Sequence, residues 1–296
     1  MFTKLTDTAK AAVFSVLLLL LAVGAALLIN MLGLTQGFGM FTLWMTTPTV
    51  ATLIMMLVVT RDGYSREGWK ALGLHRLGLN VWWIAFGVSF VVTVAATAAV
   101  WATPLAAFVV PEYGIVSTVI DFFFVLVVFT PTFILAEEIG IRGYLLPKLL
   151  SLGVTGALLL SGLVWAAWHL ILFYLTPLFP TGNALLFVPL VVGTIVAASF
   201  LFGYLRIYTG SVWPGAIAHA VHNSLVDTLL VLTATSSPVL VNLYLVGDNG
   251  VLIVATTAIG AAWVGYILRR RAQNKALPGA EAPDAVAAPA ATATPR

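Results

Sequence analysis

A chain of 296 residues that is 61% hydrophobic and 8% charged, with a mean hydropathy of +1.05, is not an ordinary soluble domain; soluble domains carry about 25% charged residues. The net charge of +3 is too small to point to nucleic acid, and the absence of cysteine excludes a disulfide framework, a thiol nucleophile and cysteine metal ligands. Lipid is the solvent that suits this surface, so the expected fold is all-α, a polytopic membrane bundle of about eight transmembrane helices.

In chain order the apolar runs place helices over residues 11–33, 45–60, 79–102, 115–147, 154–175, 183–207, 211–235 and 250–268. The second is the shortest; crossing ~30 Å of hydrocarbon takes ~20 residues. The first run exceeds the ~7–15 apolar residues of a signal-peptide core, so it is expected to stay as a helix. Residues 1–114 read as three helices with a basic loop, 115–235 as a core of helices four to seven, and 236–275 as a final helix with a basic flank. Residues 276–296 are rich in Ala, Pro and Thr without apolar periodicity and read as a disordered tail.

Charge placement sets the expected topology. Lys4 and Lys10 precede helix one. Arg61, Arg66, Lys70 and Arg76 fall between helices two and three, Lys148 between four and five, and Arg206 between six and seven. Arg269, Arg270, Arg271 and Lys275 follow helix eight. The alternate loops 35–44, 103–114, 176–182 and 236–249 contain no Lys or Arg, only the acids Glu112 and Asp248. Both termini are therefore expected in the cytoplasm by the positive-inside rule. Tyr64, Trp69, Trp82 and Trp83 flank the second basic loop as an interfacial belt would, and 64–75 reads as a short helix on the membrane surface.

Ionisable residues inside spans are costly, at least about 2.5–3.5 kcal/mol each on insertion scales, and so are functional candidates. Here they are Asp121, Glu137, Glu138, Arg142, His169, His219, His222 and Asp227. Glu138 and Arg142 are four apart on one helix face, whereas Glu137 points about 100° away. One carboxylate is thus offset by the arginine and its neighbour is not, a route to a general base. The bland alternative is a salt-bridged helix end. Trp165 and His169 share a face of helix five; alone, this histidine reads equally as a bundle hydrogen bond. His219 and Asn223 share a face of helix seven with His222 on the same turn, where interhelical hydrogen bonding is the alternative. Asp121 and Asp227 receive no role. Together the three clusters supply groups able to activate a water and stabilise an oxyanion.

Glu137-Glu138…Arg142, Trp165…His169 and His219…Asn223, in this order and in separate apolar segments, resemble the CPBP family of intramembrane proteases, which includes the CAAX prenyl proteases and bacteriocin-processing or immunity proteins. The resemblance covers roughly residues 115–235. One departure is Trp165, where the family pattern usually has phenylalanine. The resemblance implies hydrolysis of a peptide bond in a membrane-associated protein or peptide. It implies Glu137 as general base together with His169, His219 and Asn223 as the oxyanion site, and Glu138, Arg142 and Trp165 in support. The family is often called metalloproteases; a zinc would take Glu137, His169 and His219, but the same residues serve without a metal, and there is no His-Glu-x-x-His on one helix. A proton-coupled transporter and a non-catalytic immunity or scaffold protein are the rival classes. Against the transporter, there is no internal repeat with paired broken helices. No Gly-x-Ser-Gly or Gly-x-Gly-Asp motif points to another intramembrane protease. The alanine-rich, cysteine-free composition points to a bacterial cell membrane.

Overall fold

The computed structural model describes residues 5–34, 37–178 and 182–275. The expected tail at 276–296 lies outside the described residues. Helix α1 (Asp7–Leu32) begins where the Thr6 hydroxyl accepts the N–H of Ala9, and it ends at Gly33, whose φ of 66° lets its N–H turn back onto the carbonyls of Ile29 and Asn30. Two short helices, α2 (Gly37–Met45) and α3 (Thr47–Ile54), and a π-helical turn (Met55–Val59) make the second span. It starts well before the expected residue 45. The sequence Gly-Phe-Gly-Met reads as loop, but Phe38 and Phe41 pack edge-on or tilted against Phe129 and Phe133, and this packing overrides the weak helix propensity of glycine.

Helix α4 (Arg66–Ala71) is capped by the Ser65 hydroxyl and buries none of its residues, as the surface reading of 64–75 expects. Helix α5 (Trp82–Trp101) leads to a two-residue strand, β1 (Ala107–Phe108). The fourth span is a segmented rod over Gly114–Leu152 rather than one regular helix. It comprises α6 (Gly114–Phe129), a π-helical turn (Thr130–Ile134), α7 (Leu135–Glu138), a second π-helical turn (Ile139–Leu145) and α8 (Leu146–Leu149). Pro131 accounts for the first irregularity, since it lacks the N–H that would close an α-turn.

Helix α9 (Val154–Leu175) is followed by α10 (Ala184–Thr209), which is capped by the Asn183 side chain. Helix α11 (Trp213–Val231) carries Pro214 in its first turn, where a missing N–H costs nothing. Strand β2 (Thr233–Ala234) pairs antiparallel with β1, and α12 (Val251–Lys275) closes the described chain.

Seven helical stretches among the described residues are long and apolar enough to cross a membrane, and the protein is an integral membrane bundle. Helix α11 is the eighth long helix. His219, His222, Asn223 and Asp227 lower its apolarity, and most of its side chains are buried by neighbours rather than by lipid. It packs on α5, α6 and α10, while α10 lies against α9 and α12. Small residues permit close approach, as is usual in lipid. A Cβ on Gly162 of α9 would lie 3.0 Å from Ser199 Cβ of α10, and the Ser161 and Ser199 hydroxyls meet at 3.1 Å. Where α3 crosses the rod, a Cβ on Gly140 would lie 2.4 Å from Pro48 Cβ and 2.8 Å from Pro48 O.

Candidate active site

Glu137 and Glu138 end α7, and Arg142 sits one turn on in the π-helical turn that follows; all three are 0–1% exposed. Helices widened to the π form often mark functional sites, and here the widened turn lies between the carboxylates and the arginine. Arg142 Nη1 donates to Glu138 Oε1 at 2.9 Å, the pairing that the four-residue spacing predicts. His219 reaches the same oxygen from α11, its Nδ1–H donating at 3.0 Å. Glu138 is thus the joint between the rod and α11. Its second oxygen is buried without a partner and faces Gly215, where a Cβ would stand 3.2 Å away. A side chain at 215 would crowd that oxygen.

Glu137 is held differently. The indole N–H of Trp165, on α9, donates to Glu137 Oε1. The face of the same indole carries the Arg142 guanidinium, 3.9 Å from the ring centroid. His169, one turn along α9, donates Nδ1–H to the Trp165 carbonyl at 3.1 Å, so its Nε2 keeps a lone pair for an external proton or water. Trp165 links the two expected water-activating residues, its N–H to Glu137 and its carbonyl to His169. His219, Glu138 and Arg142 are within electrostatic range of Glu137, and His169 is within range of His219 and Arg142.

The structure therefore gathers Glu137, Glu138, Arg142, Trp165 and His219 from the rod, α9 and α11 into one buried cluster, with half-buried His169 at its margin. Asn223 lies one helical turn beyond His219, half-buried, with no side-chain hydrogen bond to the other cluster members among the described residues. His222 is buried beside His219 on the same helix. Asp121 and Asp227 fall outside the cluster and line a separate groove between α6 and α11 with Thr118, Ser224 and Thr228.

Sequence reasoning missed two members, both on α10. Phe202 stacks on the His219 ring, centroids 5.3 Å apart and planes 18° apart, and lies 5.3 Å from the Arg142 guanidinium. Arg206, expected in a cytoplasmic loop, is buried in the last turn of α10. Its Nε donates to the Arg142 carbonyl at 3.1 Å and its Nη2 to the Ala71 carbonyl at 2.8 Å, tying the site to the end of α4. The signal was a Phe-x-x-x-Arg spacing that puts both on one helix face.

Among the described residues no three His, Asp or Glu side chains converge to hold a metal ion, so Glu137, His169 and His219 as arranged do not form a zinc site.

Residues 117–225 match the family model described as Rce1-like, the type II CAAX prenyl endopeptidases. The match covers a little over a third of the chain. The match agrees with the CPBP resemblance and spans all three motifs, from Glu137 to Asn223. No curated protein matches the chain. The matched stretch begins within α6 and ends within α11, so α5 and α12, which pack on each other, belong to the bundle but lie outside the match.

Proposed function

We propose that the protein is an intramembrane endopeptidase that hydrolyses a peptide bond of a membrane-associated protein or peptide, with Glu137 as general base. The observation that carries this reading is the unequal treatment of two adjacent buried carboxylates. Glu138 is committed on one oxygen to a guanidinium and an imidazole. Glu137 accepts one neutral N–H and, among the described residues, its second oxygen has no hydrogen-bond partner. A carboxylate with a free oxygen, held by the Trp165 indole one helical turn from His169, suits the capture and deprotonation of water.

In this mechanism Glu137 Oε2 takes a proton from water as its oxygen attacks the scissile carbonyl carbon. The carbonyl oxygen becomes an oxyanion. His219, braced through Nδ1 by Glu138, donates Nε2–H to it, with the Asn223 amide as a second donor. Collapse of the intermediate breaks the C–N bond, and the proton held by Glu137 passes to the leaving amine. Arg142 balances Glu138, so the charge of the buried pair is not left alone. Orientation with both termini in the cytoplasm of a bacterial membrane belongs to the same proposal, supported by the placement of thirteen of the fourteen Lys and Arg residues on one side.

The test is cleavage of a membrane-anchored peptide reporter by the purified protein in vesicles. Glu137→Gln should lose turnover while keeping the wild-type detergent melting temperature. A non-catalytic scaffold would give no cleavage by the wild type on any anchored reporter.

A further inference from the structure

Trp165 stands where the family pattern usually has phenylalanine, and it adds a larger, bicyclic ring and one N–H group. That group makes a contact phenylalanine could not make. The indole Nε1–H donates to Glu137 Oε1, the indole face carries the Arg142 guanidinium at 3.9 Å, and the ring lies 5.2 Å from His219 at a steep angle. The side chain is 3% exposed, so no solvent competes for the N–H.

We infer that Trp165 is the positioning residue that sets the Glu137 carboxylate for catalysis by fixing its Oε1 and leaving Oε2 to face water. The inference rests on the reading of Glu137 as general base. First, Arg142 lies near both carboxylates, and a guanidinium can take either or bridge them. The indole plane occupies one face of the guanidinium, which donates along its edge to Glu138. A cation bound on an aromatic face is not free to turn its donors toward Glu137. Second, a carboxylate on a glutamate has three side-chain torsions. One directed hydrogen bond from a rigid, packed donor removes most of that freedom at the reacting atom. Trp165 thus holds the base with a neutral donor and keeps the cation committed to Glu138. Phenylalanine would preserve the aromatic face and remove the directed bond.

The experiment separates shape from the N–H group. Trp165 is changed to Phe, and separately replaced by β-(3-benzothienyl)alanine, which keeps the bicyclic shape and substitutes sulfur for N–H. Both are compared with Glu137→Gln in the vesicle cleavage assay. The indole Nε1–H resonance of Trp165, assigned by its loss in Trp165→Phe, is recorded in the wild type and in Glu137→Gln. The expected result is a fall in kcat of roughly 10–10²-fold for both Trp165 replacements with KM little changed, the size expected for a catalytic group displaced by about 1 Å. The resonance should move upfield in Glu137→Gln, where a neutral amide replaces the charged acceptor. If Trp165→Phe fails to fold, the benzothienyl variant decides. Wild-type kcat in the benzothienyl variant, or an indole resonance unmoved by Glu137→Gln, overturns the role of Trp165. Wild-type cleavage by Glu137→Gln instead overturns the reading on which the role depends, so the two failures are distinguishable.

Discussion

His219 Nδ1 lies 3.0 Å from Glu138 Oε1, the oxygen that also accepts Arg142 at 2.9 Å. One carboxylate oxygen therefore joins α11 to the rod and fixes which ring nitrogen of His219 faces the site. Glu138→Gln removes the charge but keeps the shape. It leaves buried Arg142 without its hydrogen-bonded counter-charge, and breaking a buried pair costs ~3–5 kcal/mol. The variant should melt at a lower temperature than the wild type and lose activity. A variant with wild-type melting and activity would show that this joint carries neither stability nor His219 orientation.

Arg142 separates charge from shape. It pairs with Glu138, lies flat on Trp165 and approaches Phe202. Lysine keeps the charge and loses the planar stack. Arg142→Ala should reduce both expression and activity. Arg142→Lys should retain most of the expression level yet cleave the reporter poorly. Wild-type cleavage by Arg142→Lys would assign the residue to electrostatics alone.

Gly140 tests how α3 supports the site. Its missing Cβ would strike Pro48, including the Pro48 carbonyl oxygen, and backbone cannot yield as a side-chain tip can. Gly140→Ala should destabilise by about 1–3 kcal/mol, the usual cost of overpacking. Gly87 in α5 has nothing within 4 Å of its would-be Cβ, so Gly87→Ala should be neutral or slightly stabilising in the same detergent melt. Matching effects at the two positions would show that the α3 crossing is loose.

Much of the bundle was legible because lipid demands apolar runs of fixed length. Helix α11 was legible from the alternation of basic loops rather than from apolarity, since its polar residues belong to the site. The irregular rod was not. Pro131 is a local cue, but the π-helical turn at Ile139–Leu145 has two glycines whose meaning comes from contact with Pro48 and Leu72, far away in sequence. The β1–β2 ribbon was invisible because two two-residue strands carry no periodicity. In the site, motif spacing picked out Glu137, Glu138, Arg142, Trp165, His169 and His219. It could not say which side chain bonds Glu137, since the Trp165 donor comes from another helix. Arg206 was misplaced because a charge near a helix end reads as loop, whereas this one turns inward to two carbonyls.

The proposed chemistry needs no metal ion. Activity in vesicles should survive stringent chelation, and elemental analysis should find less than one zinc per chain. Loss on chelation with recovery on adding zinc would require the cluster to rearrange around the ion.

Topology follows from charge placement. Reporter fusions at residues 110 and 245 should read outside, and at 70 and 150 inside. A reversed reading at any of these would break the arrangement with both termini in the cytoplasm.

The central claim is that Glu137 activates the water. Its most direct test is the turnover of Glu137→Gln in vesicles on a membrane-anchored peptide reporter, with melting temperature measured on the same preparation. A positioned general base contributes ~10²–10⁴-fold, so cleavage should fall by at least that range while melting stays at the wild-type value. Cleavage at the wild-type rate by a well-folded Glu137→Gln protein would contradict the account.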